Sequence, residues 1–126
     1  MKELTKAEEQ VMQIIWKLEK CFVKDVVGKF KDPKPAYNTV STIIRILEKK
    51  GFLSHTGFGS TYEYFPLISK KEYSSAYLGN FVKNYFGNSY KSLVSSFASG
   101  KKISLEEMEE MKQLLDNEIK KKKSHG

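Results

Sequence analysis

Residues 37–51, YNTVSTIIRILEKKG, constrain the fold more than any other stretch of the chain. Val40, Ile43, Ile44 and Leu47 stand at i, i+3, i+4 and i+7, the apolar stripe of a helix laid on a core. The opposite face carries Asn38, Thr42, Arg45 and Lys49, with Ser41 beside them and no carboxylate among them. Short hydrogen-bonding groups and two cations suit the major groove of DNA. A solvated amphipathic helix would look the same in isolation, so the residues that follow decide. Gly51 stops the helix. Two runs of strand character come next, residues 52–56 and 61–65, around the turn-forming Gly57-Phe58-Gly59-Ser60. Tyr62 and Tyr64 alternate with Glu63, the period of a half-buried strand, and Pro66 removes a donor and closes the hairpin. A recognition helix followed at once by a hairpin is the layout of a winged helix. An isolated hairpin is marginal, so this one must pack its aromatics on the helices before it.

Two helices precede the recognition helix. The first covers about residues 6–18. Thr5 and Glu8 form a capping box, and Ala7, Val11, Ile14, Ile15 and Leu18 form the apolar set with Trp16 alongside. The second covers about residues 24–30 and turns Val26, Val27 and Phe30 inward. The prolines of Asp32-Pro33-Lys34-Pro35 disfavour helix for the residues before them and end it. The expected fold is mostly α: a winged helix-turn-helix DNA-binding domain with a two-stranded wing over residues 1–67, then a three-helix C-terminal dimerisation region over residues 68–126.

In that second half, Ser69 and Glu72 cap a helix running to about Phe86, with Tyr73, Ala76, Tyr77, Phe81 and Tyr85 close to one face. Gly87-Asn88 breaks it. A shorter helix, residues 89–98, turns Tyr90, Leu93, Val94 and Phe97 inward. Gly100 ends that one, and Ser104 and Glu107 cap the last helix, whose stripe is Leu105, Met108, Met111, Leu115 and Ile119. Lys120 to Lys123 put positive charge at its negative end. Three modest helices bury little apolar surface against one another. The economical partner for so many aromatics and methionines is a second copy of the chain. The expected interface is Tyr73, Tyr77, Phe81, Leu93, Phe97, Met108, Met111 and Leu115. The competing reading is a monomer whose last helices fold back on the winged domain.

The net charge of +7 fits a nucleic-acid binder without locating the surface, because residues 1–66 carry 11 basic and 8 acidic groups and the rest 11 and 7. No apolar run reaches membrane-spanning length and no signal-peptide core is visible, so a cytoplasmic protein is expected. The single cysteine, Cys21, reads as a small buried apolar residue. Lys20 and Lys24 nearby would lower its pKa were it a redox sensor. His55 and His125 lack neighbours at metal-ligand spacing. The acidic cluster Glu106, Glu107, Glu109 and Glu110 matches a helix N-terminus. Gly57-Phe58-Gly59 lacks the following helix of a nucleotide fingerprint. No nucleophile–base pair appears. Neither an enzyme nor a cofactor or metal is expected.

The order of these motifs resembles the BlaI/MecI/CopY family of bacterial winged-helix repressors, over nearly the whole chain. The residues that carry the resemblance are Leu4-Thr5-Lys6-Ala7-Glu8 with Val11, Met12 and Trp16, then Lys24-Asp25-Val26. After these come Tyr37-Asn38-Thr39-Val40-Ser41-Thr42, Leu47-Glu48-Lys49-Lys50-Gly51 and Tyr62-Glu63-Tyr64-Phe65-Pro66. The C-terminal matches are Ser92-Leu93-Val94-Ser95-Ser96-Phe97 and Leu105-Glu106-Glu107-Met108-Glu109-Glu110. The resemblance implies a dimeric repressor on an inverted-repeat operator. Bases would be touched by Asn38, Thr39 and Thr42, and phosphates by Ser41, Arg45, Lys49 and His55. It also implies relief of repression by a membrane metalloprotease sensor cutting between Ser96 and Phe97. Three departures stand out. Ser60 replaces a wing arginine, which weakens wing–phosphate attraction. The tail lacks the cysteine cluster of copper-responsive members. Ser96 replaces the asparagine usual before the cut. The alternatives are a winged-helix protein-interaction module that does not bind DNA, favoured by the neutral wing, and a ligand-sensing regulator with a pocket among the C-terminal aromatics.

Overall fold

The computed structural model describes residues 2–58, 60–100 and 102–125. In chain order the elements are α1 (Lys6–Leu18), α2 (Val23–Lys29), α3 (Tyr37–Lys49), β1 (Leu53–Phe58), β2 (Thr61–Pro66), α4 (Lys70–Phe86), α5 (Tyr90–Ala98) and α6 (Leu105–His125). The chain divides into two compact units. The first ends at Leu78 and the second begins at Gly79, so the division falls inside α4 and not after residue 67. The cause is Tyr73, whose hydroxyl accepts the Leu4 backbone N–H at 2.8 Å and whose ring packs 6.0 Å from Trp16 and 5.7 Å from Phe52. The first turns of α4 therefore belong to the winged unit. Among the described residues no helix is long and apolar enough to cross a membrane.

In the first unit the core is built from Val11, Met12 and Ile15 of α1, Val23 and Val26 of α2, Val40, Ile44 and Leu47 of α3, and Phe52, Leu53 and Tyr64 of the wing. The Thr5 hydroxyl accepts the Glu8 N–H at 3.2 Å, and the Glu8 carboxylate accepts the Thr5 N–H at 2.9 Å, the reciprocal cap expected from the sequence. The buried stripe of α1 is Glu8, Val11, Met12 and Ile15. Ala7, expected in the core, lies at the edge of that stripe and is exposed, while Glu8 takes the inner place. In α2, Val26 is buried as expected, whereas Val27 and Phe30 are only half-buried against the core.

Helix α3 ends in a Schellman motif. The Phe52 N–H donates to the Leu47 carbonyl at 3.0 Å and the Gly51 N–H to the Glu48 carbonyl at 3.0 Å, with Gly51 at φ +86°. Only glycine takes that backbone region without steric cost. The buried pair Leu47 and Phe52 then turns the chain directly into the wing. Strands β1 and β2 pair antiparallel from Leu53↔Pro66 to Phe58↔Thr61, so β1 runs two residues further than expected. Gly59, expected in the turn, lies outside the described residues. Cys21 adds a short third rung: its N–H donates to the Tyr64 carbonyl at 3.0 Å and its carbonyl accepts the Tyr64 N–H at 2.7 Å. This rung ties the α1–α2 connection to the wing. The Trp16 indole N–H donates to the Ile68 carbonyl at 2.9 Å and fixes the chain after the wing on α1.

In the second unit, Gly87 (φ +57°) and Asn88 (φ +63°) break the chain between α4 and α5. The Ser89 hydroxyl accepts the Ser92 N–H at 3.0 Å, and the Ser104 hydroxyl accepts the Glu107 N–H at 3.1 Å, so both later helices start on serine caps. Val82 is fully buried, and Phe81 packs on Tyr85 and Phe86 at 5.1 and 5.8 Å. Neither α5 nor α6 has a fully buried residue.

Candidate nucleic-acid interface

Helix α3 presents two faces of opposite character, as its sequence requires. Val40, Ile44 and Leu47 are buried, while Asn38, Thr39, Thr42, Arg45 and Lys49 are exposed and Ser41 is half-buried. Thr39, marginal on a helical wheel, thus stands with the outward set. The Thr42 hydroxyl donates to the Asn38 carbonyl at 2.9 Å, which leaves its lone pairs facing outward as acceptors. The Arg45 Nε–H makes a long 3.5 Å contact with the Ser41 carbonyl. That contact aligns the guanidinium along the helix and leaves most of its donors free. The N-cap residue is Ala36, which offers no side-chain acceptor, and the first turn of α3 holds no acid. The positive end of the helix dipole is therefore unneutralised, a favourable setting for phosphate.

The cations of α3 are not equivalent. Lys49 is exposed, but Lys50 reaches back to α1 and holds both Glu8 carboxylate oxygens at 2.8 Å. Glu8 is 5% exposed, so this pair locks α3 against α1 and takes Lys50 out of reach of a ligand. Burial pushes the Glu8 carboxyl up, but the Lys50 ammonium and the Thr5 donors outweigh it and hold the group below its ordinary value. This pair escaped sequence reasoning. Its two halves are 42 residues apart, and Glu8 already had a local role in the cap.

His55 occupies β1, half-buried. Its Nδ1 pairs with the Glu48 carboxylate, and its ring lies 4.3 Å from Tyr62 and 5.6 Å from Tyr64. The imidazole therefore joins the end of α3 to the wing and retains only Nε2 for an outside partner. Tyr37 and Tyr62, exposed by 55% and 48%, border the polar face together with Lys24. No local pattern in the sequence assigns them a role there. Period-two alternation placed Tyr62 on the face of Tyr64, but it could not show that the wing leaves Tyr62 in solvent.

Cys21 is buried, and its thiol is pushed up to about 11 by burial, with Asp25 and Glu63 adding to the effect. The lysine-activated redox thiol is thus overturned: the carboxylates and the dry surroundings dominate over Lys20 and Lys24. No group of His, Cys, Asp and Glu suited to a metal ion occurs among the described residues.

The residues expected at a dimer interface divide into three groups. Tyr73 is 8% exposed and packs into the core of the winged unit, its hydroxyl bonded to Leu4 and its ring against Trp16 and Phe52. Phe81, Leu93, Phe97, Met108 and Met111 are half-buried. Tyr77 and Leu115 are 47% and 55% exposed. Ser96 is exposed and Phe97 half-buried, both within α5.

The family model described as penicillinase repressor matches residues 4–117 of this chain. The penicillinase repressor of Bacillus licheniformis is 28% identical over 122 residues, covering 96% of this chain and 95% of its own. The methicillin resistance regulatory protein MecI of Staphylococcus aureus is 27% identical over 117 residues, covering 90% of this chain and 94% of its own. The solution structure of the DNA-binding domain of the repressor BlaI covers 58% of this chain and 94% of its own, at 30% identity and a TM-score of 0.49. With the family model extending from the start of the winged unit into the last helix, the chain belongs to the penicillinase repressor family.

Proposed function

We propose that this DNA-binding transcriptional repressor works as a homodimer that inserts two copies of α3 into successive major grooves of an inverted-repeat operator. The observation that carries this reading is the outward face of α3, where Asn38, Thr39, Thr42, Arg45 and Lys49 are all exposed and no carboxylate intervenes. Asn38, Thr39 and Thr42 read base edges, and Ser41, Arg45 and Lys49 hold phosphates and set the register. His55 adds a phosphate contact through Nε2–H in its imidazolium form, in which both ring nitrogens donate and Nδ1–H stays on Glu48. In a two-fold complex the half-sites lie about 34 Å apart.

Dimerisation is supported by what a single chain leaves exposed on its C-terminal helices. Leu105, Leu114, Leu115 and Ile119 of α6 are 50–69% exposed. A second copy covering them, with Tyr77, Phe81, Leu93, Phe97, Met108 and Met111, completes the core that one copy lacks. Proteolysis between Ser96 and Phe97 would sever α5, detach α6 from that shared core and lower operator affinity. The membrane metalloprotease sensor is the proposed agent, and a cytoplasmic location follows from this role. Selection of bound fragments from genomic DNA, followed by sedimentation of the free and bound protein, tests the reading. The expected results are an enriched inverted repeat and a free mass of twice 14.5 kDa. A monomer at micromolar concentration with no enriched sequence refutes it.

A further inference from the structure

Within the first unit an open groove of about 460 Å³ lies between the start of α2, the outer side of α3 and strand β2. Its walls include the rings of Phe22, Tyr37, Tyr62 and Tyr64, and its charged lining residues are Lys24 and Arg45. No carboxylate lines it. Of the acids on the three walls, Asp25 accepts the Phe22 N–H at 2.8 Å and Glu48 is paired with His55, while Glu63 of β2 is half-buried and does not line the groove. Neither Lys24 nor Arg45 has an ion-pair partner among the described residues. The volume falls within the range of small-molecule sites. Aromatic walls favour a planar ring, and a guanidinium beside an ammonium selects a carboxylate over a neutral or cationic group.

We propose that this groove binds a small planar aromatic carboxylate, with its ring against the tyrosines and its carboxylate on Arg45 and Lys24. Because Arg45 and Ser41 also serve the proposed phosphate contacts, such a ligand competes with operator DNA. The competition rests on the proposed DNA reading, whereas the binding itself does not.

The test is an NMR titration of the full chain without DNA, using 2-naphthoate, the neutral 2-naphthamide and the cationic 2-naphthamidine. Naphthoate is expected to shift the resonances of Lys24, Tyr37, Arg45 and Tyr62 and to bind about tenfold more tightly than the amide, with the amidine weakest. Replacing both exposed cations (Lys24→Gln with Arg45→Gln) is expected to reduce naphthoate to the level of the amide while the spectrum stays dispersed. Equal binding of the three probes, shifts confined to other surfaces, or no binding at the solubility limit overturns the proposal. A gel-shift competition follows as a separate arm. Naphthoate that binds the groove yet leaves operator binding unchanged overturns the competition and the phosphate role of Arg45, not the groove.

Discussion

Replacing Lys50 by methionine isolates the long-range electrostatic clamp of the winged unit. The substitution keeps the length of the side chain and removes two 2.8 Å charge-assisted contacts to Glu8. Glu8 then keeps only its Thr5 contacts, chiefly the Thr5 N–H at 2.9 Å, for a carboxylate side chain that is 7% exposed. Removing one member of a buried ion pair costs about 3–5 kcal/mol. Lys50 is 24% exposed, so water reaches the vacated side and the expected loss is about 3 kcal/mol, the lower end of that range. Removing both charges together, Glu8→Leu with Lys50→Met, is expected to cost only about 1 kcal/mol, the value of the lost cap contact. The single tryptophan, Trp16, sits in the same unit and reports its urea unfolding by fluorescence. The pH dependence has a fixed sign. The folded pKa of Glu8 lies below its unfolded value, so the stabilisation is complete above about pH 4.3 and is lost as pH falls through the folded value. The gap between the wild-type chain and Glu8→Gln is therefore constant from about pH 7 to 5 and closes below about pH 4. A Lys50→Met loss under about 0.5 kcal/mol, or a gap that widens in acid, refutes this account of the clamp.

Three further outcomes follow from the structure. In titrations against operator and random DNA, Arg45→Ala and Lys49→Ala should weaken binding to both and lower the salt slope by about 0.9 each, whereas Asn38→Ala and Thr42→Ala should cost about 1–3 kcal/mol on the operator alone. Equal losses on both DNAs for all four would contradict the division into reading and holding contacts. Tyr73→Phe should lower the stability of the winged unit by about 1 kcal/mol through the lost bond to Leu4 and leave the sedimenting mass unchanged; a shift to monomer would restore Tyr73 to the dimer interface. The Cys21 thiol, raised to about 11, should resist a disulfide reagent at pH 7.5 in the native chain and react at once in urea, and immediate reaction of the native protein would show that the thiol is not held in the core.

Much of the fold was legible because its signals are local. Thr5 and Glu8, Ser69 and Glu72, and Ser104 and Glu107 announced three helix starts from three-residue spacings, and each serine or threonine caps its helix in the structure. The period of Val40, Ile44 and Leu47 fixed which side of α3 faces inward, and therefore which side offers Asn38, Thr42, Arg45 and Lys49. Gly51 marked the stop and the entry to the wing. What the sequence left open depends on how elements cross. Local spacing cannot distinguish Lys49 from Lys50, yet one is exposed and the other is bound to Glu8. It placed Tyr73 on a helix face without showing that α1 and Phe52 fill that face. The chain by itself determined the helices, their faces and the order that makes a winged domain, because periodicity and caps act within a few residues. Only the tertiary structure decided the Glu8–Lys50 clamp, the Cys21–Tyr64 rung and the aromatic groove beside Arg45. Each of these joins groups far apart in sequence, and their meeting depends on packing angles that no short-range pattern encodes.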